Sequence, residues 1–165
     1  MKTGWFVGLA AAAVVLDSAV APEIEFLGAR PDFLVLVVAY AGLVLGARPA
    51  TIIGFILGLV VDAEQPEYLG LHALALSVIG YASAAAWEHL VRGSLLVQIS
   101  VLFCAALAHD VIYYIVYFRN HLDMFARFFV RFGLTGAAYT AAFAVLVYAL
   151  ALARSWRPIT GGTRV

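Results

Sequence analysis

Five ionisable residues stand in or beside long apolar runs: Asp17, Asp62, His72, His109 and Asp110. Carboxyl and imidazole groups in such surroundings are costly unless paired. Each is therefore either a contact at headgroup level or a member of a functional polar cluster. Asp17, Asp62 and His72 fit the first description. Asp110 is harder to place there, because it falls inside an apolar run, beside His109 and one turn from Tyr113 and Tyr114. An arginine from the outer side or a tyrosine hydroxyl is available as its partner. His109 and Asp110 alone make no catalytic pair, since adjacent residues on a helix point in different directions. The chain has no H-E-x-x-H, no G-x-S-x-G and no Gly-rich phosphate loop. Its four histidines do not form a ligand pair at helical spacing with an acidic third member. Cys104 is the single cysteine, so an intramolecular disulfide and a cysteine metal site are both excluded. No enzyme, cofactor or metal site is expected.

Other spacings speak of contact rather than reaction. Gly42 and Gly46 are four apart, as are Gly54 and Gly58. Small residues at this interval share a helix face and let two backbones approach closely, either within the chain or against a partner's helix. Arg119, Asp123, Arg127 and Arg131 also recur every four residues and form one stripe, with opposite charges at i,i+4. Leu122, Met124, Phe125, Phe128, Phe129 and Phe132 occupy the other faces. This segment reads as an interfacial amphipathic helix or the outer end of the last span, serving as a headgroup anchor or as a partner contact.

The elements that must position these residues follow from composition. Of 165 residues, 65% are hydrophobic and 12% charged, against about 45–50% and about 25% in soluble domains. So short a chain cannot hide that excess in a core, and lipid is the expected solvent. The formal net charge is zero, which gives no pointer to nucleic acid. The apolar runs are continuous and rich in Ala, Leu and Val, whereas barrel strands alternate apolar and polar residues. The expected fold is an all-α integral membrane protein, one transmembrane domain with about six spans near 5–20, 33–47, 50–61, 69–87, 94–118 and 133–153. Lys2, the run 5–16 and Ala19-Val20-Ala21 mimic a signal peptide, but Asp17 interrupts the run and Pro22 would follow the cut. It reads as an uncleaved first span.

The second and third spans are shorter than the ~20 residues a crossing needs. One long kinked helix over 33–61 is the rival arrangement, giving five spans. It would bring Arg48 to mid-membrane at about 2.5–3.5 kcal/mol, so a break at Arg48-Pro49 is favoured. With the N-terminus in the cytoplasm, Lys2, Arg48, Arg92, Arg154, Arg157 and Arg164 lie inside, and Arg30, Arg119, Arg127 and Arg131 outside. This bias favours both termini in the cytoplasm.

Residues 54–81 read G-F-I-L-G-L-V-V-D-A-E-Q-P-E-Y-L-G-L-H-A-L-A-L-S-V-I-G-Y. The segment resembles the MreD family, the bacterial rod shape-determining membrane protein. That family's pattern is a Gly-rich span ending in G-L-x-x-D, a short loop, then L-G-x-x-A-L and G-Y. Gly58, Leu59 and Asp62 match the first part, and Leu69, Gly70, Ala73, Leu74, Gly80 and Tyr81 the second. Pro31-Asp32 before the second span is also similar, while His72 stands where the family often has Asn. In physical terms, Gly54, Gly58 and Gly80 would let the third and fourth spans pack tightly, and Asp62 would cap the turn. The resemblance implies a bacterial inner-membrane scaffold of the cell-wall elongation complex, binding MreC and acting alongside MreB, RodA and a penicillin-binding transpeptidase. It also implies a fold like the substrate-binding subunits of energy-coupling-factor transporters. That likeness supplies a second function class, a vitamin-like small-molecule-binding subunit of a transporter. The outer Asp, His and Tyr residues would line its pocket.

Overall fold

The computed structural model describes residues 2–25, 28–64, 66–89, 95–118 and 122–155. Among them there are helices and turns and no strand. Helix α1 (Lys2–Val15) runs into a π-turn at Leu16–Val20. Helices α2 (Phe33–Leu45), α3 (Ala47–Asp62), α4 (Leu71–His89) and α5 (Leu95–Tyr117) follow. Helix α6 (Leu122–Phe128) continues through a second π-turn, Phe129–Gly133, into α7 (Leu134–Ser155). The stripe segment is thus the start of the last long helix. Arg92, Arg119, Arg157, Arg164 and the side chain of Asp123 lie outside the described residues.

Local chemistry sets the boundaries. Asp32 begins α2, its side chain accepting the Val35 N–H at 2.8 Å, which satisfies one of the free donors of the first turn. Gly46 ends α2 at φ +86°, a conformation a side chain would strain. The chain therefore turns at Gly46, ahead of Arg48-Pro49. Those two residues sit in the first turn of α3, where the missing proline N–H has no intrahelical acceptor to lose. The second and third apolar segments are accordingly two helices packed on each other, not one kinked rod. Gly70, at φ +98°, makes the corresponding turn before α4.

α3 and α4 form the most extensive pair, and α2 lies against both. Val35 and Val38 of α2 and Leu76 and Ile79 of α4 are fully buried at the centre. Ala13, Ala105, Ala106 and Ala137 bring α1, α5 and α7 onto that core. Phe33 and Phe143 meet edge to face at 5.0 Å. Outward positions are also apolar: Ile52, Leu74 and Val130 are each more than half exposed, a surface suited to lipid and unsuited to water. Among the described residues, Leu96–Tyr117 and Met124–Leu146 are long and apolar enough to cross a membrane, and Gly8–Val20 and Phe33–Leu45 are shorter apolar helices. At 1.5 Å per residue, the 13 residues of α2 reach about 20 Å, less than the ~30 Å hydrocarbon layer.

Candidate functional site

Three arrangements carry the candidate residues: a glycine-lined helix contact, a capped helix start and a cavity holding a polar cluster. In the first, a Cβ on Gly58 would lie 2.3 Å from the Ala73 backbone, and one on Gly54 would lie 2.4 Å from the Leu76 carbonyl oxygen. A Cβ on Gly80 would lie 2.6 Å from the Ala50 carbonyl oxygen, and one on Gly42 would lie 2.8 Å from that of Gly80. These four glycines therefore hold α2, α3 and α4 at backbone contact within the chain. A Cβ on Gly46 would meet nothing within 4 Å, so this glycine forms the turn and takes no part in the contact. Tyr81 points outward and is 61% exposed.

Asp62 and His72 belong together. Asp62 is completely buried at the end of α3. Its carboxyl oxygens accept the N–H groups of Gly70 at 2.9 Å, His72 at 3.0 Å and Ala73 at 3.0 Å. The His72 Nδ1 lies 2.9 Å from the same group. The free donors of the α4 N-terminus thus converge on one carboxylate, where the helix dipole also favours negative charge. These bonds tie the start of α4 to the end of α3 across the turn. The His72 ring lies 4.9 Å from that of Tyr113, tilted by 40°, and 6.0 Å from that of His109, linking the cap to α5.

His109 and Asp110 belong to the third arrangement. A cavity of about 520 Å³ opens between the α1–α2 connection, α5 and the α6–α7 helix. His109 is buried, with Nδ1 3.4 Å from Asp32 and 3.5 Å from Asp110. Asp17 reaches the same wall from the first π-turn, and its Oδ1 accepts the Phe33 N–H at 3.3 Å. Thr140 of α7 accepts the Asp32 N–H at 3.0 Å, and Tyr139 donates to the Ile24 carbonyl at 2.9 Å. These two bonds tie α7 to the α1–α2 connection. Tyr114, Phe118, Phe128 and Phe132 form an aromatic side of the cavity. Among the sequence candidates, Asp17, His109 and Asp110 come together here, and His72 borders the cavity from the capped turn. The sequence names Asp32 only through the Pro31-Asp32 pair and Arg30 only as one of the outer arginines, placing neither in the cluster, and it does not point to Thr140. Asp32 carried a signal, a helix-capping residue after Pro31, but that signal announces only the helix start.

Arg127 and Arg131 are exposed on the α6–α7 helix, Arg131 lying over the Phe132 ring at 5.5 Å. Among the described residues, no group of three or more His, Cys, Asp or Glu side chains could hold a metal ion.

A family model described as rod shape-determining protein MreD matches residues 1–153. No curated protein and no solved structure matches the chain.

Proposed function

Because the chain belongs to the MreD family, whose role is rod shape determination in the membrane, we propose that it is a non-catalytic scaffold of the cell-wall elongation complex. Its partner in this reading is MreC, with RodA, a penicillin-binding transpeptidase and the MreB filament as further members. It sits in the bacterial cytoplasmic membrane with six spans and both termini in the cytoplasm. The observation that carries the reading is the family match across residues 1–153.

The geometry narrows where a partner can dock. Gly42, Gly54, Gly58 and Gly80 are already filled by this chain's own backbone, so a partner's helix has no room there. Arg127, in α6, and Arg131, in the second π-turn, are both exposed, as are the neighbouring Met124 and Phe128. A charged surface flanked by apolar side chains suits a partner that is itself half in the headgroup layer. Reversing charge across such a contact opposes binding by several kcal/mol, roughly. A single headgroup contact is worth about 1 kcal/mol.

The test is co-purification of MreC with the wild type and with an Arg127→Glu, Arg131→Glu double variant that inserts normally. Recovery with the wild type alone is expected. Recovery with both moves the contact away from these arginines. Failure to recover MreC with the wild type, together with no cysteine crosslink between the two proteins in membranes, overturns the scaffold reading.

A further inference from the structure

The cavity has a charge balance that its own residues do not close. Three carboxyl groups reach its wall from separate segments: Asp17 from the first π-turn, Asp32 from the start of α2 and Asp110 from α5. Three positive or potentially positive side chains line it, Arg30, His72 and His109. Arg30 already lies 3.5 Å from Glu25, and the His72 Nδ1 lies 2.9 Å from Asp62, outside the cluster. The Nε2 of His109 is buried without a hydrogen-bond partner, an uncommon state for a buried polar atom. Asp17 and Asp32 each use Oδ1 on a backbone N–H. Among the described residues, Asp17 Oδ2 and Asp110 Oδ2 accept no hydrogen bond.

The backbone points to the same place. π-turns are rare and cluster at functional sites. Both π-turns among the described residues border this cavity, the first through Asp17 and the second through Phe132. The opposite side is aromatic, with Phe118 and Phe128 rings 4.9 Å apart and Phe128 and Phe132 rings 5.4 Å apart. A volume of about 520 Å³ lies within the range of small-ligand sites, about 300–1,000 Å³.

We propose that this cavity binds a primary ammonium group carried on a short apolar stem, supplied either by a soluble amine or by an ethanolamine lipid headgroup. An ammonium has three donors and no acceptor, which fits carboxylate oxygens with spare lone pairs. Aromatic faces attract the cation and accommodate the stem. An anion would meet three carboxyl groups, and a neutral molecule would leave them unneutralised. The assignment goes beyond the scaffold reading and stands or falls independently of it.

The test uses the full chain in dodecylmaltoside micelles, with phenethylamine as the cationic probe and 2-phenylethanol as its neutral counterpart. Wild-type protein is expected to bind the cation at least tenfold more tightly than the alcohol. Asp17→Asn and Asp110→Asn should each lose at least tenfold, whereas non-specific uptake by the micelle would be the same in all three proteins. A second arm compares phosphatidylglycerol nanodiscs with and without phosphatidylethanolamine, reading the thermal midpoint. A preference in the first arm assigns a soluble amine. A midpoint gain in the second arm alone, lost in the variants, assigns the lipid headgroup. Circular dichroism and gel filtration establish that the variants fold. Should Asp17→Asn not fold, Asp110→Asn carries the test by itself, because its carboxyl accepts no backbone bond. No preference in either arm, or an equal one in the variants, overturns the proposal.

Discussion

Adding one methyl group at Gly58 tests the packing argument most directly. The new Cβ would sit 2.3 Å from both Ala73 Cα and Ala73 N and 2.4 Å from the His72 carbonyl carbon. Ordinary contact begins at 3.4 Å, so the nearest approach falls about 1.1 Å short. All three atoms are backbone, and no side-chain rotamer can relieve the overlap. α3 and α4 must separate by about this amount at their crossing, or α3 must rotate. Either movement pulls on the bonds of 2.9–3.0 Å that hold the α4 N-terminus to Asp62, four residues along α3. Overpacking costs about 1–3 kcal/mol where side chains can adjust. Weakening bonds to a charged acceptor adds about 1.5–3 kcal/mol each if they break. Gly58→Ala is therefore expected to destabilise by about 3 kcal/mol or more. At about 2–4 °C per kcal/mol for a chain of this size, the thermal midpoint should fall by roughly 6–12 °C.

Gly8→Ala supplies the control. Gly8 also lies inside a helix, but an added Cβ there meets nothing within 4 Å. Only helix propensity then changes, in alanine's favour by about 0.8–1 kcal/mol. The two substitutions are chemically identical and should move stability in opposite directions. Thermal unfolding of the purified proteins in one detergent decides the matter. A Gly58→Ala midpoint within about 1 °C of wild type would refute the packing argument, since overlap of this depth cannot be free of cost.

Three further outcomes are expected. Asp62→Asn keeps the shape but removes the charge and one acceptor from the α4 N-terminus, and should cost about 2 kcal/mol in equilibrium unfolding; an unchanged midpoint would show that the buried carboxyl contributes nothing as a cap. Gly46→Ala meets no neighbour but forces a side chain into φ +86°, so it should cost about 1–2 kcal/mol from backbone strain alone. In a Cys104→Ser background, Arg48→Cys should react with an impermeant maleimide only when the cytoplasmic face is exposed, and labelling from outside would reverse the proposed orientation.

The helical character, the short second and third helices and the Asp62 turn were legible because each rests on local pattern. Continuous apolar runs, a G-x-x-x-G interval and an acidic residue before a turn are all read within a few residues. The point where α2 ends was not. Arg48-Pro49 looks like a stop because proline lacks an N–H, yet in the first turn of a helix that N–H has no partner to lose. The turn instead needs a residue at positive φ, and Gly46 supplies it. Spacing alone groups Gly46 with Gly42 as a packing face. A four-residue interval between glycines cannot distinguish a glycine used for contact from one used for backbone freedom, since both are selected for the missing Cβ.

The cavity was legible only in part, and the missing part has a geometric cause. Asp17, His109 and Asp110 stood out because each interrupts apolar sequence. Asp32 did not, because a carboxyl ahead of a helix is explained by capping alone, and its Oδ1 does bind the Val35 N–H. Its second oxygen, 3.4 Å from His109, serves a different neighbour brought in by tertiary packing. Periodicity also fails at the two π-turns. An i→i+5 turn inserts extra chain into a helix, so residues on either side no longer share the face that a 3.6-residue repeat assigns them. Asp17 lies in one such turn and Phe132 in the other. A helical wheel drawn through either segment therefore misplaces the residues that border the cavity. Among these residues Asp110 and His109, on the regular helix α5, are the ones whose placement a sequence repeat can carry.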